Sequence, residues 1–136
     1  MGLDGVAVQV GGQWYREKHD YLSIPLYVRE NTILALGARD DDAVYDYADG
    51  VQLRVYALQD GKTAETVVYS GDNQIQLRAR VTRQGNRYTA RVEADKPCTL
   101  TLMNLGHPTS ATAPYHQSGP NLTFPLPTST EFSVTL

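Results

Sequence analysis

From Val51 onward apolar and polar residues alternate with a period of two, the spacing that sends successive side chains to opposite faces of a strand. Val51, Leu53, Val55 and Ala57 share one face, and Gln52, Arg54 and Tyr56 the other. Asp60-Gly61 supplies the positive φ angles of a two-residue turn, which predicts that the next strand, about Thr63 to Tyr69, runs back antiparallel to the first. Gly71-Asp72-Asn73 turns the chain again. Ile75, Leu77, Ala79 and Val81 then alternate with Gln76, Arg78 and Arg80, and after Gln84-Gly85-Asn86 the pattern returns as Tyr88, Ala90, Val92 and Ala94, a second hairpin. Lys96-Pro97 breaks that strand, and Cys98, Leu100 and Leu102 begin another that ends near Asn104. Gly106 to Asn121, with Pro108, Pro114 and Pro120, reads as a loop, either a crossing between sheets or an excursion. Leu122, Phe124 and Leu126 form a short strand that Pro125 and Pro127 confine to an edge or a bulge, and Phe132, Val134 and Leu136 close the chain. No stretch keeps a helical period over ten residues. The pattern predicts an all-β chain, an antiparallel beta-sandwich, and is compatible with either a jelly-roll or an Ig-like topology.

Before Val51 the pattern is shorter and more varied. Leu3 to Val10 ends in an alternation of Val6, Val8 and Val10 with Ala7 and Gln9, and Gly11-Gly12 marks a turn into Gln13 to Asp20. Ser23 to Arg29 and Thr32 to Leu36 read as two strands joined through Glu30-Asn31, where Asn31 takes the left-handed conformation of a tight turn, so a hairpin is expected. Gly37 to Gly50 is acidic and polar, with Asp40, Asp41, Asp42, Asp46 and Asp49 among few apolar residues, and reads as a linker.

Within Trp14 to Gly37 lies a dense set of distinctive residues: Gly11-Gly12 just ahead of it, then Trp14, His19, Leu22-Ser23, Pro25, Tyr27-Val28-Arg29, Asn31-Thr32 and Leu34-Ala35-Leu36-Gly37. These resemble a segment of the family 31 glycoside hydrolases. Much of that family writes the turn as Arg-x-Gly-Ser/Thr and ends the following strand in Pro. Asn31-Thr32 and Leu34 to Gly37 stand there instead, which is similar to the alpha-xylosidase branch. Tyr45-Asp46-Tyr47 and Asp49-Gly50 extend the resemblance more softly into the next sandwich. The resemblance implies that residues 1–37 end a first C-terminal beta-sandwich and that residues 38–136 are a linker and a second one, both beyond a catalytic barrel on the same polypeptide. It implies a parent that hydrolyses alpha-xylosidic bonds with retention through two Asp side chains of the barrel, neither of them in this chain. The sandwich would brace the barrel, with Trp14, His19, Tyr21, Tyr27 and Arg29 as docking or subunit-contact residues, and would be inactive alone. Large apolar groups such as Trp14, Tyr15 and Tyr21 are then expected to be exposed, a sticky surface. A carbohydrate-binding module and an oligomerisation module are the other two readings.

Size sets the same limit independently. At 136 residues the chain is too short for a (β/α)₈ barrel, which takes about 250 residues, and lacks the strand-helix alternation of one. Twelve Lys and Arg against fifteen Asp and Glu give a formal charge of -3 with the basic residues scattered, so no nucleic-acid partner is indicated. No apolar run of about 18 residues and no leader at Met1 point to a membrane or secretion, and a cytoplasmic location is expected. Cys98 is the single cysteine, which forbids an internal disulfide and reads as a small buried apolar side chain.

The remaining chemistry-bearing residues have bland readings. Retention asks for carboxylates about 5 to 5.5 Å apart on a rigid scaffold, and Asp40 to Asp42 lie in a solvated linker. Asp40, Asp42, Asp46 and Asp49 carry hard oxygen ligands, but their spacing fits no calcium loop, so no metal or other cofactor is expected. His19-Asp20 has no nucleophile placed beside it and reads as structural; His107 and His116 lack metal-ligand spacing and read as exposed. Asn121-Leu122-Thr123 is a chance-length glycosylation match. A glycan is the one small-molecule ligand the composition favours. Tyr45, Tyr47, Tyr56 and Tyr69 would present rings on an outer face beside Asp46 and Asp49, set against the ordinary presence of tyrosine at strand rims.

Overall fold

The structure is a computed structural model that describes residues 2, 8–22, 24, 26–39, 41 and 46–136. Among them ten strands make two five-stranded sheets. One runs in the order β1 (Thr32–Leu36), β2 (Gln52–Tyr56), β6 (Cys98–Leu102), β9 (Asn121–Leu126) and β8 (His116–Ser118). The other runs β3 (Thr63–Tyr69), β4 (Ile75–Gln84), β5 (Arg87–Ala94), β10 (Thr130–Thr135) and β7 (Ser110–Ala111). The pairings are antiparallel except β2 with β6, which is parallel. That exception follows from the path: between β2 and β6 the chain lays down the whole β3-β4-β5 meander in the opposite sheet and re-enters the first sheet in its original direction.

The alternation of residues explains the layering. Leu53, Val55, Leu100, Leu102, Leu122 and Phe124 point inward from one sheet, and Ala64, Leu77, Ala79, Val81, Ala90, Val92, Phe132 and Val134 from the other, forming one apolar cluster. Phe124 and Phe132 join the sheets, their rings stacked at 4.4 Å between centroids. Cys98 lies in the same cluster as a free, buried thiol whose pKa burial pushes up, consistent with an inert packing role. The β4-β5 hairpin closes through Gly85 at φ 60, with Gln84 opposite Arg87. A first turn residue at positive φ is what a type II′ connection requires.

Two expectations about connectivity are corrected. Among the described residues, Thr32–Leu36 forms no hairpin with residues 24 and 26–29, part of the strand expected over Ser23 to Arg29. It pairs with β2, from Thr32 opposite Tyr56 to Leu36 opposite Gln52, so a strand assigned to a preceding sandwich is an edge strand of this one. Asn31 does take the left-handed conformation, at φ 55, and its Oδ1 accepts a 2.8 Å hydrogen bond from Gln59 N, fixing β1 to the loop beyond β2. Ser23 and Pro25 lie outside the described residues, and so do Leu3 to Ala7; Val8 and Val10 are exposed and in no strand.

Asp60-Gly61 forms its turn, with Lys62 N donating to Gln59 O at 3.1 Å, but the turn carries the chain from one sheet to the other rather than back along β2. The redirection is tertiary. Ala57 adopts φ 46, Leu58 is buried, and Arg83 Nη1 donates to Leu58 O at 2.9 Å while Gly61 N donates to Arg83 O at 2.9 Å. The crossing is thereby docked on the end of the β4-β5 hairpin. Gly106 to Asn121 likewise resolves as a sheet crossing: β7 adds to β10 in one sheet and β8 to β9 in the other. Pro125 falls beyond the end of β8, which pairs with β9 only from Asn121 to Thr123, so its missing N–H leaves no partner of β8 unsatisfied.

Candidate functional site

The described residues between 8 and 29 stand outside the two sheets, and two kinds of surface arise on them. Trp14 is fully exposed, and Tyr21, Leu22 and Ile24 are 96%, 82% and 76% exposed, so these four large apolar side chains find no cover among the described residues. Arg29 is exposed as well. Tyr27 is about half exposed and makes an isolated antiparallel bridge to Gly2.

The second surface is polar and organised. Gly12, at φ 77, reverses the chain so that Gln9 and Val10 face the residues that follow, and Tyr15 Oη donates to Val10 O across the turn at 2.6 Å. Glu17 is the centre. Its Oε1 accepts from Tyr27 Oη and, at 3.4 Å, from Gln9 Nε2, while its Oε2 lies 2.8 Å from His19 Nε2. The side chains of His19 and Glu17 are only 34% and 31% exposed. Around them Gln9, Gln13, Tyr15, Glu17, His19 and Tyr27 line an open cleft of about 490 Å³. None of Trp14, Tyr21, Leu22 and Ile24 lines it. His19 and Tyr27 thus belong to the cleft, and Trp14 and Tyr21 to the apolar surface.

The hydroxyl of Tyr27, and after it the imidazole of His19, hold the Glu17 carboxyl below its ordinary value; the same hydrogen bond, with burial second, raises the Tyr27 phenol. A depressed carboxyl keeps its network above its ordinary pKa and loses it as pH falls through the folded value. A raised phenol keeps its bond below its ordinary pKa and loses it as pH rises through the folded value. The network is therefore expected to outlast both ordinary limits. Carbon-detected NMR of the Glu17 carboxyl should titrate below an unstructured glutamate; a midpoint at or above that reference contradicts the arrangement.

Among the described residues the tyrosines expected on one outer face do not share it. Tyr56 is completely buried, Tyr47 is half-buried against the core, and Tyr69 stands on β3 of the opposite sheet; Tyr45 lies outside the described residues. Tyr56 had been placed on an open face by alternation, and the alternation is right, but that face is covered at this corner. Met103, the residue just past the end of β6, is also buried, and neither belongs to the inner cluster.

Asp46 pairs with Lys96, which lowers the carboxyl and raises the amine, and Asp41 lies 3.0 Å from Arg39 Nε. Asp40 and Asp42 are outside the described residues. Among the described residues no group of three or more His, Cys, Asp or Glu is placed to hold a metal ion. His107 and His116 are exposed. Among the described residues no helix is long and apolar enough to cross a membrane.

All of the sandwich except its edge strand β1 coincides with a known unit. Residues 46–136 match the family of the C-terminal domain of alpha-xylosidase YicI. The chain belongs to that family. Alpha-xylosidase XylQ of Lactiplantibacillus pentosus is 38% identical over 68 residues, covering 48% of this chain and 9% of that protein. As a member of this domain family, the chain carries the all-β sandwich expected of its patterning, with one parallel pair the alternation did not announce. Glu17, Gln9 and Gln13 were not singled out from sequence, and Tyr15 only as an exposed apolar group. The turn at Gly11-Gly12 ahead of an alternating Tyr15, Glu17, His19 was the available signal.

Proposed function

We propose that this chain is the C-terminal sandwich region of an alpha-xylosidase polypeptide whose catalytic barrel hydrolyses alpha-xylosidic bonds with retention, and that it braces that barrel without taking part in the chemistry. The observation that carries the reading is the run of uncovered apolar side chains at Trp14, Tyr21, Leu22 and Ile24, outside the core of an otherwise well-closed sandwich. Single apolar residues are commonly exposed, but several on one short segment mark a contact surface. The domain family and the alpha-xylosidase relative support the identity of the partner. Asp46 and Asp41 are each engaged with a neighbouring cation, which suits structural carboxylates rather than an acid and a nucleophile.

The test is an assay on an aryl alpha-xyloside. The chain alone should release no aryl alcohol, and the catalytic remainder of the polypeptide should lose activity faster on warming without the chain than with it. Hydrolysis by the chain itself, or a remainder indifferent to its presence, would overturn the reading.

A further inference from the structure

The cleft around Glu17 has a chemistry that barrel docking does not use. Its walls are two tyrosine rings, each 47% exposed, two primary amides, a carboxylate and an imidazole. At about 490 Å³ it falls within the roughly 300–1,000 Å³ of small-molecule sites. An anion would meet the Glu17 carboxylate. A cation would find that carboxylate already taken up by Tyr27, His19 and Gln9, with about one of its four acceptor positions left. A neutral polyhydroxyl ring fits both remaining features. Its C–H face packs on a tyrosine ring, and its hydroxyls donate to the last Glu17 position and exchange bonds with the amides. Tyr15 gives its one proton to Val10 O, so its 3.4 Å approach to Gln13 Oε1 is secondary and leaves the Gln13 amide available to a ligand.

We infer that the cleft formed by Gln9, Gln13, Tyr15, Glu17, His19 and Tyr27 binds a neutral pyranose. The inference does not rest on barrel docking, because Trp14, Tyr21, Leu22 and Ile24 lie outside the cleft.

Saturation-transfer NMR on the full 136-residue chain, with D-xylose, methyl α-D-xyloside and glycerol as separate probes, tests it. Transfer is expected to both sugars and not to glycerol. Glu17→Gln removes a charged acceptor and should weaken the sugars about tenfold. Gln13→Ala should weaken them by a few-fold while leaving the Glu17 network in place, and keeps the test valid if Glu17→Gln disturbs the segment. Trp14→Ala should leave sugar binding unchanged. Absence of transfer to either sugar, equal transfer to glycerol, or affinity unchanged by Gln13→Ala would overturn the assignment.

Discussion

Replacing Phe124 with alanine is expected to destabilise the sandwich by about 3–5 kcal/mol, a large share of the roughly 5–15 kcal/mol that holds a domain of this size. Phe124 is fully buried at the middle of β9, opposite Leu100 of β6, and its ring meets Phe132 of the other sheet at 4.4 Å with an interplanar angle of 30°. Tyr115 approaches its other side at 5.7 Å. Truncation removes the group that joins the two layers and leaves a cavity that paired strands on both sides prevent from collapsing. Urea unfolding followed by circular dichroism measures the loss. A Phe124/Phe132 double-mutant cycle should return a coupling of about 1 kcal/mol, because stacked rings contribute beyond their buried area. A loss within about 0.5 kcal/mol for Phe124→Ala would mean that the sheets are not packed as described.

Tyr56→Ala should be nearly as damaging, again about 3–5 kcal/mol and a fall in melting temperature on the order of 10 °C. The expectation separates two accounts of one residue. As a ring on an open sheet face, Tyr56 would be removable at little cost to stability. In the structure it has no exposed surface and sits opposite Thr32 of β1, while on the other side of β2 the Met103 N–H donates to the O of the preceding Val55 at 3.1 Å. β1 and the end of β6 thus close this corner. Scanning calorimetry of Tyr56→Ala decides it, and a melting temperature within a degree or two of the parent chain would contradict the buried placement.

Strand positions were more legible than strand partners, and the residues show why. Thr63–Tyr69 was legible because turn signals bound it on both sides, and Cys98 was legible as the start of its strand because Pro97 precedes it, although that strand ends at Leu102 rather than near Asn104. β4 runs past Val81 to Gln84 because polar residues complete a ladder without being buried. Partner choice is another matter. Asp60-Gly61 makes the same two-residue turn whether the chain folds back or crosses over. What decides is Ala57 at positive φ and the grip of Arg83 on Leu58 O, a contact between residues 25 apart. β1 is similar: Asn31 announces a turn, while its hydrogen bond to Gln59, 28 residues on, chooses the neighbour. β7 and β8, of two and three residues, are too short for any periodicity to reveal. The cleft was illegible for a related reason. Glu17 meets His19 two residues away and Tyr27 ten residues away in a segment with no regular period, so only the folded geometry brings them together.

The proposed bracing role requires that the exposed segment have a partner on the same polypeptide. Sedimentation velocity of the chain mixed with the catalytic remainder of its polypeptide measures this directly. A one-to-one complex is predicted, abolished when Trp14 and Tyr21 are both changed to serine while the sandwich stays folded. A chain that ignores the remainder, or that sediments as its own oligomer with or without it, would contradict the bracing role and favour an oligomerisation module instead.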